Sequence, residues 1–215
     1  MEETLKYGKL AHGLSWVLHP FLQPVYLMGV LLTMTTFALY PANVKFYLLW
    51  VVALYAILIP VLSLGVLHSL GRLSSYRVDD RRERLRWPPP PRRGGGARRE
   101  RLLPLLIGAV CYVLCALTLS KIPSAIFLRK FMVAAACCEL LCFVVSLRWK
   151  ISLHLTGMGA VVALLVVMNV AGVGNMVFPL VVAVLAAGAL ASARLYLGCH
   201  NAPQVLAGFC GGFAV

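Results

Sequence analysis

Two histidines and a group of cations stand out in a chain that is otherwise apolar. His154 opens an apolar run in "KISLHLTGMGA", with Ser152 and Lys150 just ahead of it, and Arg194 and His200 close another run in "ARLYLGCH". Ionisable groups in such segments are costly in a bilayer unless they are paired or used. Two imidazoles beside cations are the minimum equipment for phosphoryl transfer. One imidazole attacks phosphorus and the other protonates the leaving oxygen, while arginine, lysine and amide N–H groups hold the charge that spreads over the phosphoryl oxygens. The residues belong at headgroup depth, where a lipid phosphate sits, and no metal or other cofactor is expected. Arg101, in the basic, proline-ended "RRERLLP", is a further candidate for gripping phosphate.

The elements that must position these residues are membrane helices. Of the 215 residues, 61% are hydrophobic and 13% charged, and the mean hydropathy of +0.87 lies far outside the range of a soluble domain. Crossing a hydrocarbon core of about 30 Å takes roughly 20 apolar residues in a helix. Runs that qualify are 21–40, 46–71, 102–120, 131–147, 154–172 and 176–197, with Pro60 expected to kink the second. A last run, 202–215, is too short to cross comfortably. The pattern predicts an all-α integral membrane protein, a single membrane domain over 1–215 built as a bundle of six to seven transmembrane helices. Residues 1–20 read as an interfacial lead-in rather than a cleavable signal, with Trp16 and His19 near the headgroups. Nothing in the sequence singles out His12 or His19. The seven cysteines sit almost wholly in apolar runs and read as small packing residues.

Sidedness decides which polar residues can meet. Alternating the helices puts the N-terminus, the loop 72–101, the loop 148–153 and the turn 198–201 on one side. That side carries 16 of the 20 lysines and arginines, since Lys45, Lys121, Arg129 and Lys130 alone fall on the other. The positive-inside rule therefore predicts a multi-pass protein of a bacterial inner membrane with the loop 72–101 in the cytoplasm. That loop, with its "PPPP" and "GGG", reads as a basic linker apposed to anionic headgroups; it has no aromatic platform, so no nucleic-acid partner is expected. Magnesium-dependent prenyl chemistry needs paired aspartate-rich motifs, and Asp79/Asp80 is the one adjacent pair.

Segment 150–204 resembles the type 2 phosphatidic acid phosphatase family, the helical lipid-phosphate phosphatases related to vanadium haloperoxidases. The family pattern runs Lys-x6-Arg-Pro, then Pro-Ser-Gly-His, then Ser-Arg-x5-His-x3-Asp. Here Ser152, Leu153 and His154 stand where Ser-Gly-His would be, with Leu153 in place of the glycine, and Ala193, Arg194, five residues and His200 stand at the third segment, with Ala193 in place of the serine and Gln204 in place of the aspartate. The resemblance implies a metal-independent phosphatase acting on a lipid phosphate or diphosphate through a phosphohistidine. His200 would be the nucleophile, His154 the acid, and Arg194, Lys150, Ser152 and Arg101 the phosphate grip. Gln204 can accept a hydrogen bond from the His200 ring and fix its tautomer, but adds no negative charge. The alternative is a relative with weak or no catalysis that binds anionic lipid headgroups.

Overall fold

The computed structural model describes residues 2–72, 96–122 and 125–215. Among these there is no strand, and the chain folds as helices α1 (Glu2–Val17), α2 (Gln23–Met34), α3 (Ala42–Ala53), α4 (Ile59–Ser69), α5 (Gly96–Leu119), α6 (Ile126–Ser146), α7 (Leu153–Val170), α8 (Val177–Tyr196) and α9 (Ala202–Ala214). Helices α3 and α4 run into each other through a π turn, Leu54–Leu58, in which the Ile59 amide reaches back to the Leu54 carbonyl. The wide turn falls just ahead of Pro60, whose missing N–H and ring disturb the bonding of the preceding turn.

Four helices are long and apolar enough to cross a membrane: Ala42–Ser69, Leu102–Leu119, Leu153–Val170 and Val177–Tyr196. The other apolar runs differ from them for separate reasons. The run 21–40 is α-helical for only 12 residues, because the backbone turns extended at Thr35 while the Thr35 hydroxyl donates to the Leu31 carbonyl at 2.6 Å. Helix α6 has the length but carries Arg129, Lys130 and Glu139, and α9 has 13 residues. Residues 73–95 of the basic loop, and with them Asp79 and Asp80, lie outside the described residues. The backbone of Arg101 belongs to α5, but its side chain lies outside the described part as well.

The main core joins α2, α3, α5, α6 and α7, with Met28, Leu48, Leu119, Met132 and Leu165 almost fully enclosed. All seven cysteines are free, and Cys111, Cys115, Cys138 and Cys142 are buried among the packed helices. Helices α7 and α9 meet backbone to backbone. A Cβ on Gly212 would strike the Thr156 carbonyl, one on Gly159 the Phe209 carbonyl, and one on Gly208 the Ser152 carbonyl. Such small-residue contact is what allows two helices to approach closely in lipid. The pairing runs in one direction along both helices, so α7 and α9 lie parallel and begin at the same end of the bundle.

Candidate functional site

The turn from α8 into α9 is fixed at both ends by local hydrogen bonds. Helix α8 closes on Gly198, at φ +63°, with the Gly198 amide donating to the Leu195 carbonyl and the Cys199 amide to the Arg194 carbonyl. A glycine in the left-handed region is the ordinary way to stop a helix and reverse the chain. Three residues after Gly198, Asn201 starts α9 with a complete capping box: its side chain accepts from the Gln204 amide at 3.1 Å, and Gln204 Oε1 accepts from the Asn201 amide at 3.2 Å. His200 is thus trapped between a helix stop and a helix start.

The capping box also decides the His200 tautomer. Because Gln204 Oε1 accepts from a backbone N–H, the amide orientation of Gln204 is set. The same oxygen lies 3.2 Å from His200 Nδ1, so Nδ1 carries the proton and donates, and Nε2 holds the lone pair. Nε2 is buried, as is the whole residue at 4% exposure. A phosphorus atom reaches it only when a covering side chain moves.

The start of α7 is built differently. Ser152 is its N-cap and has extended backbone, yet its side chain makes no cap. The hydroxyl is fully buried and has no hydrogen-bond partner among the described residues. Its amide donates to the Gln204 carbonyl at 3.3 Å, and its carbonyl takes both the amide and the hydroxyl of Thr156. The Ser152–Gln204 bond binds the beginnings of α7 and α9 together, which puts the first turn of α7, with His154, and the residue before the α9 cap, His200, at the same end of the bundle.

Arg194 occupies the last turn of α8 and is 5% exposed, a depth at which a guanidinium is held by its surroundings rather than by water. Lys150 donates to the Cys199 carbonyl at 3.0 Å and so ties the segment before α7 to the turn before α9. Of the seven residues singled out by sequence, the structure brings Lys150, Ser152, His154, Arg194, His200 and Gln204 to one end of the bundle. Arg101 is the exception, for the reason given above.

Two residues that the sequence did not single out join them. His19, in the turn between α1 and α2, sets its ring 5.2 Å from that of His154 in an edge-on contact. Burial, with the Arg194 guanidinium as a second cause, pushes the His19 imidazole down from its ordinary value to about 4, so it is neutral at physiological pH. Gln23, the first residue of α2, donates through Nε2 to both the Leu18 carbonyl at 2.9 Å and the His154 carbonyl at 3.2 Å. Its amide lies against Gly157, where any Cβ would collide with it. Helices α2, α7 and α9 therefore all begin at this end. Each turns the positive end of its dipole, roughly half a charge, towards this end, and Arg194 and Lys150 add to the field. An anion is the natural ligand of such an end.

Among the described residues, fold and site together define a helical protein with four helices of membrane-crossing length and, at one end, three histidines and an arginine. No protein-family model, no curated protein and no solved structure matches the chain.

Proposed function

We propose that the chain is a membrane-embedded phosphatase of the type 2 phosphatidic acid phosphatase kind, acting on a lipid phosphate or diphosphate without a metal. The observation that carries this reading is the His200–Gln204 bond, whose polarity is dictated by the capping box and which leaves Nε2 with the lone pair, at the end of the bundle that also holds Arg194 and the uncapped start of α7. In this reading His200 Nε2 forms a bond to phosphorus as the bond to the leaving oxygen breaks, and His154 delivers the proton that the leaving oxygen needs. Water then attacks the phosphohistidine, giving up its proton to His154, and free phosphate departs. Arg194, Lys150, the Ser152 hydroxyl and the first amides of α7 hold the equatorial oxygens. The membrane spans number six when α2 and α6 are counted with the four long helices, or seven with α9, and the basic loop faces the cytoplasm of a bacterial cell.

A second reading is favoured by one specific feature. Gln204 is neutral, and its side-chain oxygen is already engaged in capping α9. A histidine oriented by an amide lacks the charge that would stabilise its imidazolium, so the same pocket can serve to bind an anionic headgroup with little or no turnover. Phosphate release from phosphatidic acid, phosphatidylglycerol phosphate and prenyl phosphates and diphosphates, measured with EDTA present, separates the two. The phosphatase reading expects release that disappears in His200→Ala while lipid binding remains. Absence of release from every lipid, with binding that depends on Arg194, leaves the headgroup binder.

A further inference from the structure

The corner between α1 and α2 is more rigid than a connection of five residues needs to be. The His19 carbonyl accepts from the amides of Leu22 and Gln23, at 2.9 and 3.3 Å, and so closes the turn that starts α2. Its ring Nδ1 accepts from the Phe21 amide at 3.4 Å, which leaves the proton of the neutral ring on Nε2. The ring is flanked by Phe21, with centroids 4.8 Å apart, and by Trp16 at 6.4 Å. Backbone, ring nitrogen and ring faces are thus all held, and the remaining ring contact is the His154 imidazole. Gln23 fastens the same corner to the first turn of α7 by bridging the carbonyls of Leu18 and His154. The preceding helix is anchored too, because Ala11 and Leu14 of α1 pack on Ala193, Leu197 and Cys199 around the end of α8.

We propose that His19 is a positioning residue for His154, and that the corner 18–23 belongs to the active centre as its second wall. The inference rests on the phosphatase reading given above and deepens it. An acid that must hand over its proton along a defined line needs its ring plane fixed, and a side chain is fixed best by neighbours that are themselves locked. An edge-on imidazole supplies that wall. Its neutrality matters because the ionisable groups facing it are His154 from α7 and Arg194 from α8: a charged His19 would repel both, whereas a neutral ring leaves the proton of His154 to the substrate.

The test uses the full chain in lipid nanodiscs, with His19→Ala removing the ring and His19→Phe restoring a ring that carries no proton. With a lipid phosphate as substrate, His19→Ala is expected to lower kcat about 10- to 100-fold with KM changed by less than about threefold, and His19→Phe to recover most of the loss. In protein labelled with 15N-histidine, the His154 ring signals, assigned through His154→Asn, shift in His19→Ala and return in His19→Phe. An Ala variant with unchanged kcat and unmoved His154 signals overturns the proposal, and so does a Phe variant as impaired as Ala. If the unaltered protein releases no phosphate at all, the phosphatase reading falls and the ring signals alone decide whether His19 positions His154.

Discussion

Helices α7 and α9 start side by side, parallel and joined by the Ser152–Gln204 bond, yet their first turns are finished in opposite ways. Asn201 and Gln204 satisfy the start of α9 from within. Ser152 leaves the start of α7 uncapped and keeps its own hydroxyl buried without a hydrogen-bond partner among the described residues. Buried polar groups in folded proteins are ordinarily satisfied, and one that is not calls for an explanation. The contrast assigns different work to the two helices. The start of α9 is closed by its own side chains and orients His200, whereas the start of α7 has no side-chain cap and is, in the proposed reading, where the anion sits.

The largest expected effect comes from prising the two starts apart. In Gly212→Leu the side chain meets the Thr156 backbone, which cannot yield as a side chain does. The variant should lose about 3 kcal/mol or more of stability and, with it, both binding and turnover; thermal unfolding in nanodiscs reads the loss. Ser152→Asp makes the two starts alike by giving α7 a cap of its own. It should cost about 2 kcal/mol or more of stability, because a carboxylate replaces a fully buried hydroxyl, while weakening binding of inorganic phosphate at least about tenfold as the carboxylate competes with the anion. A Ser152→Asp protein that binds phosphate as well as before would mean that α7 is not the anion-binding start.

Asn201→Ala opens the closed start instead. It should cost about 1 kcal/mol of stability and lower kcat more than it raises KM, since the His200 orientation loosens while the anion grip stays. Gln204→Glu sharpens the contrast without breaking it, since the longer acid can still accept from both Asn201 and His200, which an aspartate is too short to do. It should raise turnover by making His200 more basic, and a wild-type-like rate would show that charge at this position does not limit the reaction. A further effect is on pH dependence. Because the folded protein holds His19 near 4 and the unfolded chain holds it near the ordinary 6.5, the unfolded state binds more protons between these values. Stability should therefore decline as pH falls from about 6.5 towards 4, and His19→Phe should flatten that decline in unfolding curves taken across the window.

The parts of the site legible in the sequence were those whose partners lie a few residues away. His200 and Gln204 are four apart at a helix start, and the Asn201-x-x-Gln204 pattern and Gly198 are local signals whose meaning depends on neighbouring residues alone. The parity of apolar runs also brought 150–154 and 194–200 to one end, as the Lys150–Cys199 and Ser152–Gln204 bonds attest. His19 was not legible, because its contact with His154 spans 135 positions and depends on the corner geometry of α1 and α2. Hydropathy also overstated α2: Thr35, Thr36, Phe37 and Ala38 are as compatible with a helix as their neighbours, and only the extended backbone at Thr35 reveals the stop. The role of Gly208 and Gly212 depends on which helix faces them, and a glycine pair by itself names no partner.

One of the helices that flank α7 is short. At about 1.5 Å per residue, α2 is roughly 18 Å long, against the roughly 30 Å of hydrocarbon it adjoins. A bilayer meets such a mismatch by thinning. Helix α2 begins at the histidine end and stops short of the far side, so the leaflet that dips to meet it is the one opposite Arg194 and His200.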